Sequence, residues 1–131
     1  MDATKAQQIL DECQKRHREL AMRLKDIGFV WPGSLVSRYL KCGKANCACH
    51  KDPAARHGPY SYWSSKVGGK TVSKSVTGTD AKLLQQWIAN RIELESIIEQ
   101  MKMVSQDAFK AASLLLHEDE TEDSQSKKTR K

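Results

Sequence analysis

At 131 residues and a formal net charge of +6, the chain has room for one modest domain and a balance that suits a polyanionic partner. No apolar run approaches the roughly 20 residues needed to span a bilayer, which argues against a membrane partner. Four cysteines with no export signal after Met1-Asp2-Ala3-Thr4-Lys5 lead us to expect a reducing, cytoplasmic setting.

Residues 1–28 predict an N-terminal amphipathic helix, running from about Thr4 to Ile27. Leu10, Cys13, His17, Leu20, Leu24 and Ile27 alternate steps of three and four, a heptad stripe with one polar member. Gly28 is placed to end it. Cys13 reads as a small apolar member of the stripe, and His17 as a register or surface residue.

Residues 29–78 predict a small β module. After the punctuation of Trp31-Pro32-Gly33, Ser34 to Leu40 reads as a strand leading into Cys42-Gly43-Lys44-Ala45-Asn46-Cys47-Ala48-Cys49-His50, with His57 seven residues on. Three thiols and two imidazoles within 16 residues can close a tetrahedral site around Zn²⁺, which takes sulfur and nitrogen donors at about 2.0–2.3 Å. Gly43 and Asn46 tolerate positive φ and would let the backbone fold back. Cys49 follows Cys47 by two, so in extended backbone both would point to one side. Cys42, Cys47, Cys49 and His57 are the expected metal ligands. His50 is the alternative fourth donor, less favoured because it adjoins Cys49. Free thiols without a metal are the competing reading.

A hairpin follows. The strands Pro59 to Val67 and Lys70 to Thr77 flank Gly68-Gly69, which suits a two-residue type I′ loop and pairs Val67 with Lys70. Trp63, Val67, Val72 and Val76 then share one face with Ser61, Ser65, Lys70 and Lys74. Tyr60, Tyr62, Ser64, Lys66, Thr71, Ser73, Ser75 and Thr77 share the other.

Thr79 or Asp80 is the expected N-cap of a long C-terminal helix over 79–116, about 50 Å at 1.5 Å per residue. Its predicted stripe is Leu84, Trp87, Leu94, Ile98, Met101, Ala108, Ala112 and Leu115, interrupted by Arg91 and Ser105. That is more apolar helix than a small sheet covers. The surplus should pack on the N-terminal helix, on a second subunit, or on a protein partner. Residues 117–131 carry charge without apolar residues and read as a disordered tail.

Between Arg38 and Thr77 the bases Arg38, Lys41, Lys44, Lys51, Arg56, Lys66, Lys70 and Lys74 oppose Asp52 alone. A fragment this small needs a staple, so the zinc is expected to be structural, and no general base stands beside it to suggest an enzyme. The basic, hydroxyl-rich hairpin suits nucleic acid, DNA in preference to RNA. Arg38, Lys41, Lys44, Lys66, Lys70 and Lys74 would meet phosphates, with Tyr60 and Tyr62 near bases or sugars. The rival readings are an adaptor or oligomerisation module working through the long helix, and an enzyme using Cys47 or Cys49 as nucleophile.

Gly33-Ser34-Leu35-Val36, Cys42 to Cys49, His57-Gly58-Pro59-Tyr60 and Lys66-Val67-Gly68-Gly69-Lys70 resemble, over about residues 31–100, a family of small bacterial and phage proteins known only as a domain of unknown function. The resemblance favours His57 over His50, because the family motif holds a histidine before Gly-Pro-Tyr. Family members tend to lie near transposase genes, which implies a DNA-handling role in mobile elements. The hairpin is also similar to the arm-binding sheets of phage-type integrases, an analogy of fold alone. The expected architecture is α+β: a zinc-stapled antiparallel sheet of two or three strands, flanked by two helices that form a coiled-coil-like arm, with a homodimer through those helices.

Overall fold

The computed structural model describes the backbone of residues 2–129 and the side chains of residues 2–118. In chain order it contains α1 (Ala3–Lys25), β1 (Ser34–Leu40), two 3-10 turns (Ala48–His50 and Pro53–Ala55), β2 (His57–Val67), β3 (Lys70–Val76) and α2 (Gly78–Thr129). This is the expected α+β architecture, with three strands in the order β1-β2-β3, all antiparallel. The chain divides into two compact units, Met1–Ile27 with Leu94–Lys131, and Gly28–Glu93. The helix α2 runs on past the expected end at Leu116. The tail reading of 117–131 falls largely on side chains that lie outside the described residues.

The first unit is a helix pair. Asp2 caps α1, its carboxylate accepting from the Lys5 N–H at 2.7 Å. The helix closes at Lys25, short of Gly28, with the Asp26 N–H donating to the Arg23 carbonyl. Cys13, Leu20, Ile97 and Val104 form its buried core, flanked by Ile9, Leu24, Ile27, Met101 and Ala108. Cys13 is therefore the apolar stripe residue expected of it, and His17 is exposed.

On α2 the seam keeps Met101 and Ala108 of the predicted stripe but takes Ile97, Val104 and Ala111 in place of Ile98, Ser105 and Ala112. Ile97, Val104 and Ala111 are buried, whereas Ile98 is 42% exposed and Ser105 faces solvent. With Met101 and Ala108 the seam steps four and three without a polar break. The supposed interruption at Ser105 marks the wrong side of the helix. Its hydroxyl donates to the Met101 carbonyl at 2.8 Å, as an exposed helical serine can.

The second unit holds the sheet and the start of α2. Gly68 and Gly69 have φ of 58° and 81°, as a type I′ loop requires, and Val67 pairs with Lys70 as expected. The pairing carries Trp63, Val72 and Val76 onto one face. Trp63 packs against Trp31, and Trp31 against Trp87 of α2, with ring centroids 6.1 Å apart in each pair. The Trp63 indole donates to the Pro32 carbonyl at 2.7 Å, and the Asn90 amide to the Phe29 carbonyl at 2.8 Å. These bonds fix the link from Gly28 to Gly33 against both sheet and helix. Gly33 sits at φ 84°, where a Cβ would fall 2.4 Å from the Ser64 carbonyl oxygen, so no other residue fits.

Thr77, not Thr79 or Asp80, caps α2. Its hydroxyl accepts from the Asp80 N–H at 3.2 Å and its carbonyl from the Ala81 N–H at 2.7 Å. Asp80 instead lies in the first turn, where a carboxylate complements the helix dipole.

Candidate metal centre

Strand pairing gathers the ligands. Leu40, the last residue of β1, pairs with His57, the first of β2, so residues 41–56 form a loop whose ends are clamped together. Cys42 lies two residues beyond Leu40 on one side of the clamp, and His57 is the other side. Within the loop, the Cys47 N–H closes a turn onto the Lys44 carbonyl at 3.1 Å. The 3-10 turn Ala48–His50 then swings Cys49 inward. The expected extended alternation of Cys47 and Cys49 is not how they meet. Cys47 alone is extended, and the turn does the rest. Nor does the fold-back use positive φ at Gly43 or Asn46: among the described residues only Gly33, Gly58, Gly68 and Gly69 adopt it.

The donor atoms of Cys42, Cys47, Cys49 and His57 all lie within 4.8 Å of one another, close enough to hold a metal ion. The Cys42 and Cys49 sulfurs are 3.6 Å apart, and Cys47 Sγ is 3.4 Å from His57 Nε2. Two sulfurs bound at about 2.3 Å on a tetrahedral ion would sit about 3.8 Å apart, so the spacing fits a Cys₃His site. All four cysteines are free thiols. Cys49 is buried and also accepts the Cys42 N–H at 3.3 Å, a bond that favours a thiolate sulfur.

The donors differ in electrostatics. The Cys47 thiol is lowered from 9.0 to about 6, first by the Cys49 backbone N–H, then by His57 and the neighbouring thiols. For Cys49 the Cys42 N–H acts downward, but burial and the adjacent Cys47 and Cys42 sulfurs push the thiol up on balance. One donor sulfur is thus favoured as a thiolate and another disfavoured by its burial and its sulfur neighbours.

His57, not His50, joins the cluster, and a β-bulge explains how. Arg38 pairs with Tyr60 and Leu40 with His57, so β2 spends one residue more than β1 over this stretch. In regular strand His57 and Tyr60, three apart, would face opposite ways. The extra residue turns His57 to the side of its neighbour Tyr60, the re-aiming that bulges near sites commonly perform. Gly58, at φ 132°, is where the chain bends. A Cβ there would come 2.8 Å from the Arg38 carbonyl oxygen. His50 has a different post: its Nε2 hydrogen bonds the Cys42 carbonyl oxygen at 2.9 Å and so steadies a ligand's backbone. Sequence reading missed that supporting role. Its one signal was the position next to Cys49, which disfavours direct ligation.

The register sorts the expected nucleic-acid residues. Arg38, Tyr60, Tyr62 and Lys66 share the face opposite the tryptophans, with Val36, Leu40, Ser64, Ser73 and Ser75. Arg38 lies over the Tyr62 ring at 5.7 Å, and Tyr60 is 45% exposed. Lys41 and Lys44 belong to the metal loop. Lys70 and Lys74 pair with Val67 and Trp63 and therefore sit on the other face. Val36 and Leu40, both partly exposed here, were not among the expected contacts. The β1–β2 ladder that sets Val36 opposite Tyr62 is regular from Ser34 to Arg38, and the bulge then sets Leu40 opposite His57; no local sequence signal announces either pairing.

A family model described as Domain of unknown function (DUF6788) matches residues 10–86. The chain belongs to that family. The match spans the metal loop, the whole sheet and the first turns of α2. No curated protein and no solved structure matches the chain. Among the described residues, no helix is long and apolar enough to cross a membrane.

Proposed function

We propose that this DUF6788 protein is a nucleic-acid-binding protein, DNA before RNA, in which Cys42, Cys47, Cys49 and His57 hold a structural Zn²⁺. The three-sulfur, one-nitrogen donor set favours zinc over the hard oxygen-seeking cations. Four protein donors fill a tetrahedral site and leave no position for a reacting water, so the chain works by binding and not by catalysis. In a reducing cytoplasm such an ion replaces the disulfide that a fragment of this size would otherwise need.

The observation that carries the reading is the open sheet face. Arg38, Tyr60, Tyr62 and Lys66 stand together on it, and Lys41 and Lys44 extend the charge along the adjoining loop. Asp52 is the lone acid between Arg38 and Thr77. Lys and Arg neutralise phosphates there, and Ser64, Ser73 and Ser75 offer hydroxyls to phosphate oxygens. With Arg38, Lys41, Lys44 and Lys66 neutralising about four phosphates, log affinity falls against log salt with a slope of about −3 to −4. Electrophoretic shifts across a salt series test this; no shift at low ionic strength, or a flat slope, contradicts it.

A second reading has its own support. On α2, Ile98, Met103, Phe109 and Leu116 are exposed, with Phe109 at 72%. Large apolar groups on a polar helix suit a protein partner or a second copy of the chain, an adaptor or oligomerisation role. That role predicts self-association or a partner complex that survives high salt and is lost in Phe109→Ser.

A further inference from the structure

We infer that the open face of the sheet is a stacking platform for unpaired nucleobases, so that the preferred ligand is a single strand rather than a duplex. The inference rests on the nucleic-acid reading above and names the form of the ligand. Its basis is the line of side chains along the central strand. Tyr60, Tyr62, Ser64 and Lys66 alternate onto one face of β2, with β1 and β3 on either side.

The two tyrosines stand two residues apart on one strand, about 6.6 Å. Bases stacked in a duplex are separated by about 3.4 Å and turn their edges outward, not their faces. One base at each tyrosine, on the Tyr60 ring itself and at Tyr62 on the guanidinium that covers it, therefore requires nucleotides drawn apart to roughly twice the duplex rise, which only an unpaired, extended strand allows. Over Tyr62 the incoming base meets the guanidinium of Arg38, whose plane is itself a stacking surface. Val36 and Leu40, 39% and 38% exposed, border the rings on β1 and give the bases an apolar floor. Lys66 at the far end of the line and Lys41 at the near end receive the phosphates.

The platform is tied to the metal centre. The bulge that brings His57 into the Cys₃His cluster begins at the Arg38–Tyr60 pair, where the regular ladder from Ser34–Ser64 ends. Tyr60 thus lies three residues from a metal ligand, at the end of the regular ladder, and loss of the metal should weaken single-strand binding.

The test uses the full metal-loaded chain and four fluorescently labelled oligonucleotides of one length: single-stranded DNA, single-stranded RNA, duplex DNA and duplex RNA. We expect either single strand to bind more tightly than both duplexes. Tyr60→Ala and Tyr62→Ala should each weaken single-strand binding about tenfold without changing the salt slope, and Tyr60→Phe and Tyr62→Phe should keep it. The phenylalanine variants guard against a fold defect, because they preserve ring and strand alike. Duplex preferred, with affinity unmoved by the alanine variants, overturns the stacking inference and leaves nucleic-acid binding standing. No binding to any of the four at low salt overturns nucleic-acid binding itself.

Discussion

Replacing His57 by alanine, with His50→Ala as its counterpart, separates the two histidines by the size of their effects. Among the described residues of Gly28–Glu93, only Cys49 and Ile88 are buried apolar side chains, and one of those is a metal ligand. Such a unit has little core. Structural zinc contributes about 10–16 kcal/mol in small modules, comparable with the entire 5–15 kcal/mol of a typical domain. His57 supplies the donor 3.4 Å from Cys47 Sγ, and its loss opens the fourth position. His50 only steadies the Cys42 carbonyl, and supporting partners of this kind change metal affinity by about 10–100-fold. His57→Ala should therefore weaken metal binding by more than that and unfold the loop, whereas His50→Ala should bind more weakly yet remain folded. All three tryptophans, Trp31, Trp63 and Trp87, lie in this unit, so intrinsic fluorescence reports on it while competition with a chromophoric chelator reports affinity. Equal effects of the two variants, or a larger effect from His50→Ala, would refute the ligand assignment.

Three further outcomes follow from packing. Gly33→Ala should lower stability by more than about 1 kcal/mol, because it meets both positive φ and the Ser64 carbonyl, whereas Gly43→Ala, with open space around it, should stay within about 0.5 kcal/mol. Thermal melts compare the pair. Ile97→Ala should cost about 2–5 kcal/mol and its neighbour Ile98→Ala far less; the reverse order in denaturant titration would restore the predicted stripe. Thr77→Ala removes the cap of α2 and should cost about 0.5–2 kcal/mol, with Thr79→Ala near neutral in the same assay.

The residues that could be read in advance are those whose neighbours in sequence are also their neighbours in space. Gly68-Gly69 dictates its own turn, and from that turn the pairing of Val67 with Lys70 and both faces of the hairpin follow. The crowding of Cys42, Cys47, Cys49 and His57 likewise declares itself, because few other reasons bring so many donors together. Long-range choices were less visible. Ile97 and Ile98 are equally apolar, and only the packing of α1 decides which is buried. The β1–β2 ladder and the bulge at Gly58 that ends it both join segments distant in sequence, so the final aim of His57 and the company of Tyr60 with Val36 and Leu40 could not be taken from local pattern. Thr77 looked like the last strand residue, though its hydroxyl opens the helix.

Native mass spectrometry of the purified full chain bears most directly on the metal centre. One zinc ion per chain, lost on adding a strong chelator together with the tryptophan fluorescence of the folded unit, is the predicted result. A metal-free chain whose fluorescence matches that of chain incubated with zinc would contradict it.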